Sequence, residues 1–67
     1  MNTKLEKAIN DQINAEAYSA YLYLAMSAYF ERMNLPGFAK WTYVQYLEET
    51  THSLKFFQII EQKLSLI

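Results

Sequence analysis

Read for hydrophobic and polar positions alone, the chain divides into two runs with a helical period and one break between them. In the first run Leu5, Ile9, Ile13, Ala20 and Leu24 recur at steps of four and seven, the spacing that lines one face of an α-helix. In the second, Phe38, Trp41, Phe56 and Ile59 fall on one face in the same way. Between the runs stand Pro36 and Gly37, the only proline and the only glycine of the chain, a pair that marks a turn. Thr3-Lys4-Leu5-Glu6 has the form of a capping box, in which the Thr hydroxyl and the Glu carboxylate satisfy free N–H groups of a first turn. Pro36 suits the first position of a second helix, where its missing N–H costs nothing. The pattern predicts a helix over about 4–33, a turn at 34–35 and a helix over about 36–65, each about 45 Å long at ~1.5 Å per residue. So short a connection sends the second helix back along the first. The expected fold is all-α, an antiparallel two-helix hairpin forming a single unit over 1–67.

Both stripes contain polar residues where apolar ones belong. Glu16 falls between Ile13 and Ala20, and Tyr23 shares that face two turns later. In the second run Gln45, Glu49 and His52 continue the line from Phe38 and Trp41 to Phe56 and Ile59. An ionised carboxylate on a core face is costly unless a cation or strong hydrogen bonds meet it. Counted outward from the turn, Glu16 and His52 differ in height by ~4.5 Å, and Tyr23 and Glu49 come out level within ~2 Å. The hairpin is thus expected to gather Glu16, Tyr23, Glu49 and His52 into one polar island. Two fillings are open for it. One is a salt bridge of a glutamate to a protonated His52, supported by the Tyr hydroxyl. The other is a divalent metal, favoured by two acids and one His with no Lys or Arg in either stripe; oxygen and imidazole donors suit Fe, Mn or Zn.

Three ligands do not close a metal site. If the hairpin pairs with a copy of itself about a two-fold axis, two Glu16, two Glu49 and two His52 converge in a four-helix bundle, and four carboxylates balance two divalent ions. The first helix also carries Tyr18, Tyr21, Leu22, Ala25 and Tyr29 away from the Glu16 stripe. A helix apolar over most of its circumference is buried on more than one side. A homodimer or higher homo-oligomer is the expected state.

Composition narrows the remaining classes. Hydrophobic residues make up 52% of the chain and aromatics 16%, which is unlike a disordered segment. Six Lys/Arg against seven Asp/Glu give a net charge of −1, with no basic patch for nucleic acid or an anionic membrane. The apolar stretch over residues 17–30 is too short to span a bilayer, which needs roughly eighteen or more apolar residues. There is no Cys, so no disulfide can hold so short a chain together, and its polar start lacks a signal-peptide core. No nucleic acid, no membrane and a cytoplasmic location are expected.

The residues also carry a resemblance. NDQINAEAYSAYLYLAMSAYFE is similar to the first helix of bacterial and archaeal non-haem ferritins, LPGFAKW to the start of their second, and EETTHSLKFF to its metal-binding segment. The similarity covers roughly residues 5–60, and Glu-x-x-His with an upstream Glu and a Tyr seven residues beyond that Glu is a specific combination. The resemblance implies a ferritin-like di-iron carboxylate centre with Glu16, Glu49 and His52 as ligands and Glu49 bridging both irons. It implies Tyr23 as a hydrogen-bonding or electron-donating neighbour, and Glu48 as part of an accessory iron site. The implied activity is a ferroxidase reaction, oxidising Fe(II) with O2 for iron storage or detoxification, with Zn or Mn as substitute ions. Members of that family continue into a third and fourth helix, whereas this chain ends at Leu64-Ser65-Leu66-Ile67. It is expected to act as a half, completed by a second copy, as in encapsulated ferritin-like proteins built from two-helix chains. The competing expectation is a helical oligomerisation module or truncated ferritin fragment without ferroxidase activity, holding at most a structural metal.

Overall fold

The structure, a computed structural model, describes the backbone of residues 3–65 and the side chains of residues 3–61; both ends of the expected 1–67 unit lie outside the described residues. Two helices, α1 (Thr3–Arg32) and α2 (Pro36–Ser65), run antiparallel in a rod 51 × 17 × 11 Å. The all-α hairpin expected from the pattern is the fold observed.

The turn explains where α1 stops. Asn34 adopts a left-handed conformation with φ 58°, which Asn tolerates better than most residues. This aims Leu35 N–H at Phe30 C=O (2.9 Å) and Asn34 N–H at Glu31 C=O (3.1 Å), the paired bonds of a Schellman cap. Leu35 C=O then accepts from Ala39 N–H at 3.0 Å and opens α2, with Pro36 in its first turn. Phe30 and Phe38 close over the turn with ring centroids 5.4 Å apart.

The seam between the helices is made of small residues. Ala20, Ser27, Ala39 and Thr42 are the buried positions among the described residues, and the largest fully buried side chain is a threonine, 1% exposed. Ser27 Oγ donates to Ala39 C=O at 2.8 Å, and Thr42 Oγ1 donates to the same carbonyl at 3.1 Å. Ser53 Oγ donates to Ile13 C=O at 3.3 Å further along. These two crossings set the register: 27 lies beside 39 and 13 beside 53, so the numbers of level residues sum to 66.

The expected stripes hold in part, with Ala20 buried and Ile9, Ile13, Glu16, Tyr23, Gln45, Glu49 and Phe56 half-buried, and are corrected at their remaining members. Leu5 and Leu24 on α1, and Phe38, Trp41 and Ile59 on α2, are exposed, Trp41 by 56%. Small residues let two helices approach closely, so the contact line follows Ala20, Ser27, Ala39 and Thr42 and pushes the large side chains to the flanks. A hairpin burying so little apolar surface is a poor candidate for independent stability, and apolar patches this extensive mark contact surfaces. A depression of about 670 Å³ lies at the turn among Leu35, Pro36, Phe38 and Trp41, away from the acids.

Candidate metal centre

Glu16 is the fourteenth residue of α1, and Glu49 is the fourteenth of α2. Both therefore sit near the midpoint of the rod, where fraying of the helix ends does not reach. In the observed register Glu16 is level with residue 50, between Glu49 and His52, closer than the count from the turn implied. The Ser53–Ile13 hydrogen bond ties the helices one residue from His52 and three from Glu16.

The result is a three-residue cluster: one donor atom from each of Glu16, Glu49 and His52 lies within 4.8 Å of the others. His52 Nδ1 is 3.4 Å from Glu16 Oε2 and 3.9 Å from Glu49 Oε1. An ion holding such donors at ~2.0–2.2 Å separates two ligands by at most ~4.4 Å, so small side-chain rotations close the group around one. The carboxylates are mostly covered, at 17% and 21% exposure, while His52 is 49% exposed. The cluster thus opens to one flank of the seam. An uncharged groove of about 330 Å³ lies between Ala17, Tyr21, Leu24, Tyr46 and Thr50 and includes none of the three.

The electrostatics follow from two acids meeting. Glu16 is held below the ordinary carboxylate value, first by a hydrogen bond with the Glu49 carboxyl, then by Gln12, with His52 adding less. Glu49 is pushed up by that same hydrogen bond, then by loss of water, then by the Glu16 charge. The pair behaves as a unit that gives up one proton easily and retains the second. Two carboxylate oxygens and an imidazole nitrogen within reach of one another are a donor set that could hold a divalent cation, and the same contact of His52 with Glu16 could serve as an ion pair.

Of the five residues expected at the site, the structure brings together Glu16, Glu49 and His52. Glu48 is exposed and lies outside the group, though close enough for its charge to raise Glu49 slightly. Tyr23 is corrected in height: its level partner is residue 43, six residues from Glu49, or ~9 Å along the axis rather than ~2 Å. The count from the turn assumed that the helices leave it at equal heights, and the Schellman cap offsets them. Tyr23 is half-buried and packs edge-on against Trp41, with ring centroids 6.3 Å apart. Gln12 was not singled out from the sequence, yet its Nε2 donates to Glu16 Oε1 at 2.9 Å. Its position one turn before Glu16 on the same face was the available signal.

Comparison with known proteins places this geometry. The ferritin-like domain profile matches residues 6–63. Bacterial non-heme ferritins of two Bacteroides fragilis strains, 638R and YCH46, are each 51% identical over 53 residues, covering 79% of this chain and 33% of theirs. Among solved structures, an open pore ferritin from the hyperthermophilic archaeon Archaeoglobus fulgidus superposes with a TM-score of 0.88 at 46% identity, over 94% of this chain and 39% of that one. An engineered closed form of the same ferritin gives 0.89 at 46% identity, over 94% and 38%. The chain spans about a third of the length of the bacterial relatives it matches. Among the described residues, no helix is long and apolar enough to cross a membrane.

Proposed function

The chain belongs to the ferritin-like domain family, and from that premise we propose that its hairpin supplies half of a di-iron ferroxidase centre, completed by a second copy. The observation that carries this reading is the meeting of Glu16, Glu49 and His52 across the midpoint of the seam. Iron is the substrate. In the paired hairpins four carboxylates offset the charge of two Fe(II) ions, and two imidazoles complete the protein ligands. O2 takes one electron from each Fe(II), and carboxylate-rich ligation favours the ferric product through its negative charge. The protein fixes the ligands and leaves positions open for O2.

On this proposal the roles divide by position. Glu16 and Glu49 give oxygen ligands from the two helices, and His52 gives nitrogen on the open flank. Tyr23 stands ~9 Å along the seam, where it serves as a neighbouring electron donor rather than a ligand, and Glu48 is a ligand for ions outside the main centre. Zn or Mn can occupy the same donors. The exposed aromatic flanks support homo-oligomerisation, and the reading places the protein in the cytoplasm, acting in iron storage or detoxification.

The test is Fe(II) oxidation followed by stopped-flow absorbance, with anaerobic Fe(II) titration of the same samples. Two irons per dimer are expected, with Glu49→Ala and His52→Ala abolishing the rapid phase. Wild-type rates from either variant would remove the site assignment. The exposed apolar surface also supports a second reading, a helical assembly module without this chemistry. An oligomer that takes up no Fe(II) anaerobically would favour it.

A further inference from the structure

The two oxygens of Glu16 have different surroundings. Gln12, one helical turn earlier, donates its Nε2–H to Oε1 at 2.9 Å. Oε2 turns across the seam toward His52 Nδ1 at 3.4 Å. Glu49 has no such amide partner: its neighbours are the Glu16 carboxyl and His52, and among the described residues no side-chain amide or hydroxyl donates to either of its oxygens. Two chemically equivalent carboxylates are therefore presented differently by their surroundings.

The difference matters for coordination. A carboxylate can hold a cation through one oxygen or chelate it through both. Chelation by Glu16 would have to use the oxygen that already accepts from the Gln12 amide, so that the ion and the N–H compete for its direction and charge, whereas binding through Oε2 alone leaves that bond undisturbed. Chelation would also fill one more position on the ion, closing a place that an incoming small molecule needs. Many glutamine–carboxylate pairs four residues apart on a helix only add a few tenths of a kcal/mol to helix stability. This one occupies one oxygen of a candidate ligand and leaves the other facing the cluster.

We propose that Gln12 is a positioning residue that holds Glu16 as a one-oxygen ligand and so keeps a coordination position open on the bound ion. This rests on the metal-site reading above. Hydrogen-bond partners of metal ligands contribute about 10–100-fold to affinity or activity, and Gln12 belongs in that range.

Co(II) is the probe, because its visible absorption weakens as coordination number rises. The full chain is titrated anaerobically, and the band intensity at saturation is compared between wild type, Gln12→Leu and Gln12→Ala, with circular dichroism on each. The expected result is unchanged stoichiometry, a weaker band in both variants as Glu16 chelates, and a dissociation constant raised by at least about tenfold. A purely structural role would leave the saturated spectrum unchanged. Variant spectra and affinities that superimpose on wild type would overturn the role of Gln12 while leaving the metal site standing. A change in Gln12→Leu but not in Gln12→Ala would overturn it too, by tracing the effect to added bulk. Wild-type chain that takes up no Co(II) would overturn both readings together.

Discussion

Glu49→Gln should change the metal-free and metal-loaded protein in opposite directions. The substitution keeps the side chain's length and removes its charge. In the metal-free hairpin, Glu49 is pushed above its ordinary value by Glu16 and by burial. A group whose pKa is raised on folding contributes stability while protonated and loses it as pH rises through the folded value. Glutamine mimics the protonated form at every pH. The variant should thus equal or exceed wild-type stability at neutral pH, and the difference should vanish below the ordinary value of 4.5, where Glu49 carries its own proton. With metal the sign reverses. In the proposed pairing four carboxylates would face two divalent ions, and the substitution would leave two carboxylates facing the same positive charge. Binding should fall to about one ion per two chains and weaken by at least about 100-fold, the upper end of what losing a ligand's hydrogen-bond partner costs. At a free ion concentration of ~100 Kd, each wild-type site gains about 2.7 kcal/mol of stability, and a hundredfold weaker site keeps roughly 0.4. Thermal melts with and without Co(II), paired with calorimetric titration, read both effects. A variant that binds two ions per dimer at wild-type affinity, or that melts well below wild type without metal, would refute the reasoning.

Other parts of the structure give further outcomes. Metal uptake should release protons, and affinity should fall as pH is lowered toward and through the raised Glu49 value, because the ion and the proton compete for that carboxyl; Co(II) titrations showing a pH-independent affinity would count against the carboxylate pair. Ala39→Leu forces three carbons into a position 1% exposed and should destabilise the fold by ~1–3 kcal/mol, read by denaturant unfolding; an unchanged midpoint would mean the seam is looser than described. Asn34→Ala should cost about 1–2 kcal/mol through its left-handed backbone, while Asn34→Gly should be neutral or stabilising in the same assay. The reverse order would contradict the Schellman cap.

Much of the site was legible because it depends on local spacing. A carboxylate at Glu16 or Glu49 interrupts an apolar stripe whatever the partner is, and Glu-x-x-His keeps Glu49 and His52 one turn apart on any helix. Gln12 was equally local, but an amide four residues before an acid is common on helix surfaces, and only its bond to one Glu16 oxygen distinguishes it. Tyr23 was misplaced in height for a different reason. Its sequence distance from Glu16 is fixed, but its distance from Glu49 depends on how the chain crosses the turn.

The sequence by itself determined the two helices, the break at Pro36-Gly37 and the polar residues near each helix midpoint, because helical period and backbone preference act within a few residues. Tertiary structure alone decided which of several apolar lines became the seam. Leu24, Phe38 and Trp41 fit a helical stripe as well as Ser27, Ala39 and Thr42 do, but closest approach of two helices favours the smaller set beside Ala20. It also decided the register, through the cap at Asn34 and the hydrogen bonds Ser27–Ala39 and Ser53–Ile13. That register sets Glu16 between Glu49 and His52, since contact across a seam depends on packing between helices and not on spacing within one.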